Sequence, residues 1–569
     1  MDKRTILALS LVALVIFITP KLFPSSMTKG AAKPVAGTTK TGGTNAVAAT
    51  QASQSASPPG NTIGPAPAAA QAGAPTGTDS TGAVKPESTT VSGAVAEYVF
   101  SNLGAAPMSV RLPSYRALDK VNQNVTITSG TGRSLISYRV LGATDTVALA
   151  TVPFTVERST ASSGATVLDY KGTANGRALS LKYTIVPDSF LARVEGSVGV
   201  DASGQPARFV LVDLPNTFHS FEADSLDDQN HFAFALKPRA RGAEGVPFGK
   251  LDPGERHLVQ GPLVWAAAKS KYFIVGLLGS ESDDTFAEAV AVGGPRTTKR
   301  ATSATGTVVT RLNNGTFRFE LYTGPQQYKR LQALGREFEN SNPYGGWLQG
   351  VVQPFATLVM KILLWMRGTL KLDYGWLLVI FGVAVRLILW PLNHGAMRTS
   401  MKMQRIQPEL NDIQKRYKAD PQKMQSEMMR VYKEHDMSPF STFAGCLPML
   451  LPMPVLFALF FVFQNTIEFR GVPFLWLADI SIKDPFYIVP LLMGVSMFVL
   501  SWVGMRNSPP NPQAKMMLYI FPVMMTFLFA NFASGLNLYY AIQNIAALPQ
   551  QWLIANERGK MSGSGGKKG

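Results

Sequence analysis

The chain has 569 residues, 46% of them hydrophobic and only 16% charged, with a net charge of +17. That length holds two or three domains, and the composition fits a membrane-embedded part joined to a soluble one. The single cysteine, Cys446, excludes an intrachain disulfide framework and any multi-cysteine metal site. The five histidines show no HxxxH or HExxH spacing, so no metal is expected.

Lys3 and Arg4 precede the apolar run Ile6–Thr19. Its length and basic flank suit a cleaved signal peptide or an uncleaved anchor spanning residues 1–23. In both cases the basic end stays inside and the chain beyond residue 23 is exported. Residues 24–91 are rich in Ala, Thr, Gly, Ser and Pro, lack apolar periodicity and read as a flexible linker.

From 92 to 330 the texture is alternation. Leu179, Leu181, Tyr183 and Ile185 share one face of a strand, as do Phe317, Phe319 and Leu321, and KYFIVGLLG reads as a more buried strand. Many short strands between Gly, Pro and Asp turns predict one large all-β sandwich. No paired-carboxylate or triad spacing marks it as catalytic. Residues 331–373 come next as connecting and interfacial helices. WLQGVVQPFATLVMKILLWMRG mixes Trp347, Trp365, Lys361 and Arg367 with aliphatics, which suits an amphipathic helix in the membrane interface; the alternative is a further span interrupted by Lys361.

Tyr374–Pro391 is apolar enough for a bilayer yet contains Arg386. An arginine at a helix centre costs roughly 2.5–3.5 kcal/mol on insertion scales, so it faces water, a partner or a substrate. The other apolar runs are Ile6–Thr19, Cys446–Gln464, Phe486–Val503, Met516–Asn531 and Ser534–Ala555, and none contains Asp or Glu. Arg386 therefore has no counter-ion within these spans. It sits in a hydrated cavity, near lipid phosphates, or opposite a charge brought by another molecule, unless it snorkels to the headgroups from near the helix end.

Between the first two of these core spans, residues 394–436 are polar and basic. Ile406, Leu410, Ile413 and Tyr417 recur at helical spacing, as do Met424, Met428 and Val431, and Ala419-Asp420-Pro421 separates the two sets. This predicts a helical hairpin with facing seams, placed in the cytoplasm by its basic excess; a solvated hairpin without a partner is the simpler reading. The five-helix core runs over 374–556, and 557–569 is a basic tail. With the first span, six transmembrane helices are expected, both termini inside if that span is kept. The basic surplus lies largely beside these spans, and no nucleic-acid motif accompanies it, so no specific nucleic acid is expected.

Three further features bear on mechanism. Pro448, Pro452 and Pro454 crowd the start of one span and free backbone groups. Methionines recur at Met449, Met453, Met493, Met497 and Met524; flexible thioethers suit a surface that accepts many apolar shapes, or simply fill a core. Asn537, Tyr540, Asn544 and Gln551 line one face of the last helix at i, i+3, i+7 and i+14. They either join helices or line the same wet cavity as Arg386.

The motifs LYTGPQQYKRLQALG, VRLILWPL, KMQRIQPELNDIQKRYKAD, QKMQSEMMRVYKEHDMSP, GCLPMLLPMPVLFALF, DPFYIVPLLMGVSMF and FASGLNLYYAIQNI resemble the YidC family of membrane-protein insertases, in its Gram-negative form with a large periplasmic domain. The resemblance is strong from Leu321 to Ala555. It implies a β-supersandwich in the periplasm, an uncleaved first helix, and an inner-membrane core with a groove open to cytoplasm and lipid but closed outward. Arg386 matches the family's groove arginine and Tyr540 an aromatic position of its last span. Nascent membrane proteins would be the clients and the Sec translocon a partner, with membrane lipids, the ribosome and the signal recognition particle pathway as further candidates. Two departures stand out: PFSTFAGC is longer than the family's usual compact turn before Cys446, and Gly382 replaces a position that is often Thr, which thins the polar lining or admits more water.

An insertase and chaperone needs no covalent chemistry, cofactor or nucleotide, and no GxxxxGK[ST] motif is present. A polytopic transporter or channel is the alternative. Proton-coupled carriers use intramembrane carboxylates, which these spans lack, and no inverted repeat is evident. A membrane-anchored enzyme would need a catalytic cluster in the sandwich.

Overall fold

Alternating apolar residues become antiparallel strands wherever one face can be buried. The computed structural model describes residues 86–119, 123–130, 133–143, 145–279, 286–296, 301–342, 349–435, 453–506 and 512–564. The run Ile6–Thr19, the linker through residue 85, Cys446, Pro448, Met449, Pro452 and the turn of residues 439–445 lie outside them. In Arg177–Ile185, Leu179, Leu181, Tyr183 and Ile185 are all buried, and the strand pairs with Thr166–Ala174 and Leu191–Val198. Phe317, Phe319 and Leu321 are buried in Thr316–Pro325, and every residue of Phe273–Leu278 is buried. These strands belong to a fourteen-stranded sheet; a second sheet has four strands, Ser88–Ser92, Glu97–Ser101, Ala106–Arg116 and Asn124–Thr128. The sheets meet through Phe100 against Tyr183, with ring centroids 4.8 Å apart. The Tyr183 hydroxyl donates to the Ala105 carbonyl at 2.7 Å, and Tyr98 to that of Phe190 at 2.9 Å. The product is a β-sandwich. Its first strand starts at Ser88, ahead of the expected boundary at 92, because STTVS buries only Val91 and shows no apolar alternation.

The helices are α1 (Ser225–Asn230), α2 (Tyr328–Ala333), α3 (Gln349–Leu370), α4 (Tyr374–Arg416), α5 (Pro421–Glu434), α6 (Met453–Asn465), α7 (Ile488–Met505), α8 (Pro512–Phe529) and α9 (Ser534–Ser564). The apolar span and the first hairpin arm form one helix, α4, of 43 residues that continues through Pro391. Pro391 lacks the N–H that would bond the Leu387 carbonyl, a loss a long helix tolerates when that group finds another partner or water. Asp420 ends the turn by accepting from the Lys423 N–H at 3.1 Å, with Pro421 at the first helical position of α5. Across the hairpin Ile406, Leu410, Val431 and Tyr432 are buried, with Ile413 and Met428 packed against them. Tyr417 and Met424, at the turn, are half-buried, and Lys423 lies 5.5 Å over the Tyr417 ring. Helix α9 runs to Ser564, through the start of the expected tail.

Among the described residues, two segments are long and apolar enough to cross a membrane, Tyr374–Pro391 and Ile488–Met505, and only 33% and 28% of them is buried inside the molecule. Trp376, Leu387 and Ile388 of α4, Leu491 and Val495 of α7, and Ile520, Val523 and Phe527 of α8 point outward. At about 25 cal/mol per Å², such faces are not stable in water, and lipid removes the cost.

Sandwich and helices are joined by a buried ion pair. Arg470, in the loop between α6 and α7, donates from Nε to both carboxylate oxygens of Glu222 at 2.8 and 2.9 Å, with both side chains under 9% exposed. Its guanidinium lies 5.5 Å from the Phe273 ring centroid, and Glu468 accepts from the Tyr328 N–H at 3.1 Å. Burial outweighs these partners and pushes the Glu222 and Glu468 carboxyls up to about 7 from 4.5. Their stabilising contribution is therefore complete below about pH 4.5 and is lost as pH rises through about 7. His231 runs the other way: burial holds it down to about 4, so its contribution is lost as pH falls from 6.5 towards that value. The difference between wild type and Glu222→Gln isolates the first effect. The wild-type melting temperature should fall relative to that of Glu222→Gln as pH is raised from about 5 to 7.5; a difference that does not change with pH contradicts the assignment.

Candidate functional site

Helix α9 is the centre of the helical part. It packs against α7, α4 and α6, while α8 packs on α7, and α3 on α6 and α4. Close approach rests on small residues. A Cβ on Gly494 of α7 would meet Thr526 Oγ1 of α8 at 1.9 Å, and one on Gly504 would meet Gln551 Nε2 of α9 at 2.7 Å.

Arg386 lies on α4 between two contacts with α9. On one side Phe381 packs on Tyr539, ring centroids 5.9 Å apart; on the other, Gln550 Nε2 donates to the Trp390 carbonyl at 3.0 Å. Arg386 is itself half-buried, and its Nε is shielded from solvent with no hydrogen-bond partner among the described residues. No ion pair to its guanidinium is found among them either.

The polar face of α9 is not turned towards this arginine. Asn544 Nδ2 donates to Ser496 Oγ at 3.1 Å and to the Met493 carbonyl at 3.5 Å, both on α7. Gln551 sits against Gly504 of the same helix, and Tyr540 packs on Phe529 of α8 at 5.5 Å. Asn537 donates to the Phe529 carbonyl at 3.0 Å and keeps a buried Oδ1 with no partner among the described residues. At 100° per residue these four fall on one side of α9, while Tyr539, Ile542 and Gln550, which meet α4, fall on the other. The four polar residues thus join α9 to α7 and α8. The residues missed in the sequence are Tyr539, Gln543 and Gln550, a second polar stripe at i, i+4 and i+11 in which Gln543 donates to the Tyr539 hydroxyl at 2.7 Å.

The described methionines divide between the two readings: Met493 is buried in the core, Met497 is half-buried, and Met524 is 49% exposed on α8. Met453 stands at the start of α6. Gly382 is buried against α9, where a Cβ would lie 3.3 Å from Ile542 and 3.5 Å from Tyr539. No group of three or more metal-ligating side chains occurs among the described residues.

Comparison with known proteins agrees with this architecture. The family described as 60Kd inner membrane protein matches residues 365–561, and the YidC periplasmic domain matches residues 88–358. The membrane protein insertase YidC of Chlorobium limicola is 32% identical over 352 residues, 59% of this chain and 59% of that protein. That of Cupriavidus pinatubonensis is 38% identical over 242 residues, 42% of this chain and 41% of that protein. A crystal structure of an active YidC insertase with its first transmembrane domain resolved aligns over 82% of this chain and 93% of its own, at 19% identity and a TM-score of 0.33. The chain belongs to the YidC family, in the form that carries a periplasmic domain. The aligned segment covers about three fifths of the Chlorobium limicola relative's length.

If Asn544 joins helices, Asn544→Leu should lower stability by about 1 kcal/mol, the range of a buried interhelical hydrogen bond. Thermal unfolding in detergent reads this, and activity per folded molecule should be unchanged. Wild-type stability with lost activity would return Asn544 to the site around Arg386.

Proposed function

We propose that this protein is a membrane-protein insertase and chaperone. It receives hydrophobic segments of nascent proteins beside Arg386 and releases them into lipid, alone or with the Sec translocon. The observation that carries this reading is the Arg386 guanidinium, buried at Nε and unpartnered among the described residues. A buried charge is costly unless paired, so the site favours water and an anionic visitor. Arg386 attracts the acidic, hydrated end of a client segment and holds it partway into the membrane. The client's apolar part then moves along outward faces such as Val383 and Leu387 into lipid. Hydrophobic burial favours that transfer at about 0.8 kcal/mol per CH₂, and no nucleotide is needed.

The reading includes six transmembrane helices: the run Ile6–Thr19, the first part of α4, and α6 to α9. Both termini lie in the cytoplasm and the sandwich lies in the periplasm. Helix α3 lies in the interface, with Trp365 and Lys361 exposed beside its buried face. The α4–α5 hairpin, basic and two-stranded, is the cytoplasmic arm that receives clients and meets the ribosome or the signal recognition particle pathway. A solute transporter is the less favoured reading, because the apolar runs Tyr374–Pro391, Cys446–Gln464, Phe486–Val503, Met516–Asn531 and Ser534–Ala555 carry no carboxylate.

The test is insertion of paired clients that differ only in an acidic or a neutral translocated tail. Arg386→Ala should reduce insertion of the acidic-tailed client severalfold more than that of the neutral one. Arg386→Lys should retain more activity, because charge rather than the planar fork is invoked. Equal loss for both clients means that the arginine serves hydration or packing.

A further inference from the structure

Where the sandwich meets the helix ends, the structure holds a cavity of about 190 Å³ that is open on one side. One water needs only ~10–15 Å³. The sandwich contributes Asp224, Asp227 and Lys271, the loop before α7 contributes Lys483, and the helix ends contribute Phe460 and Phe532.

The charges on this wall do not all cancel internally. Lys271 Nζ holds Asp227 at 2.7 Å. Asp224 caps α1 by accepting from the Asp227 N–H at 3.0 Å, and Lys483 is exposed. Among the described residues neither Asp224 nor Lys483 has an ion-pair partner. The cavity thus keeps one free anion and one free cation. Its other wall is aromatic, with Phe460 and Phe532 rings 5.3 Å apart. Phe460 is in the last turns of α6 and Phe532 links α8 to α9. In the orientation proposed above, on which this inference depends, that is the level where hydrocarbon ends and headgroups begin.

We propose that this cavity binds the headgroup of an aminophospholipid. The ligand carries one ammonium, one phosphate and an apolar tail, matching Asp224, Lys483 and the aromatic wall in turn. The ammonium donates charge-assisted hydrogen bonds to Asp224, the phosphate accepts from Lys483, and the chains pass Phe460 and Phe532 into the bilayer. A bound lipid touches the sandwich and the helix ends together, so it adds to the junction made by Arg470 and Glu222. A free phosphoethanolamine ion would make the same polar contacts without the aromatic one.

Purified full-length protein in detergent is titrated with phosphatidylethanolamine, phosphatidylglycerol, phosphatidylcholine and soluble phosphoethanolamine, with binding read by native mass spectrometry and by the shift in melting temperature. Phosphatidylethanolamine should bind most tightly, since a trimethylammonium group cannot donate to Asp224. Lys483→Gln should weaken phosphatidylethanolamine and phosphatidylglycerol alike by about tenfold, the loss of one charge-assisted hydrogen bond. Asp224→Asn keeps an oxygen that caps α1 and should weaken phosphatidylethanolamine alone. Equal binding of phosphatidylethanolamine and phosphatidylcholine, wild-type binding by both variants, or soluble phosphoethanolamine binding as tightly as the lipid would each overturn the proposal. The readout is lipid binding rather than insertion, so it can fail while the insertase reading stands.

Discussion

A guanidinium in an apolar helix must be neutralised, hydrated or visited, and the helical part of this protein is arranged around one that is not neutralised from within its described residues. Arg386 sits between the Phe381–Tyr539 and Trp390–Gln550 contacts, so α4 is fixed against α9 on both sides of the charge. Gly382, one turn earlier, allows the two helices to approach without filling the space at Arg386. On the far side of α9, Asn544, Gln551 and Tyr540 fix it to α7 and α8. The last helix is thus held by polar contacts on one face and presents another to the arginine. Among the described residues no side chain pairs with Arg386, and α4 is held against α9 on both sides of it.

The outer domain is tied into the same frame. Glu222 and Arg470 are both buried and meet across the junction of sandwich and helices. Removing Glu222 leaves the Arg470 guanidinium buried without its partner, at about 3–5 kcal/mol. This contact lies between residues 248 positions apart, one in a sandwich loop and one in a loop between spans. Neither carries a local sequence signal, which is why the junction was not legible in the sequence.

Much else was. The strands obey period-two alternation, and within KYFIVGLLG the apolar stretch Phe273–Leu278 is a strand buried along its length. The hairpin seam at Ile406, Leu410 and Val431 keeps its helical spacing. Arg386 was visible as a charge in an apolar run, and its isolation came from the lack of acids in the other runs. What failed was orientation about the helix axis. Asn537, Tyr540, Asn544 and Gln551 do share a face, but periodicity does not say which neighbour that face meets, and here it is α7 and α8. Met493 was left between core and surface for the same reason, since apolar surroundings leave core and lipid faces alike in composition. That the span and the hairpin arm share one helix was not legible, because an interior proline removes a hydrogen bond and crowds the preceding turn, and composition does not say whether the helix continues past it.

Val383, Arg386 and Trp390 are spaced i, i+3 and i+7 and form one stripe of α4, whereas Val495 of α7 faces outward elsewhere. A photo-crosslinker placed at each of residues 383, 390 and 495, with a stalled nascent membrane protein as partner, reports directly where the client lies. Crosslinks from 383 and 390, and few from 495, are the result expected if the unpaired arginine meets the client. Equal crosslinking from all three, or none from the Arg386 stripe, would contradict it.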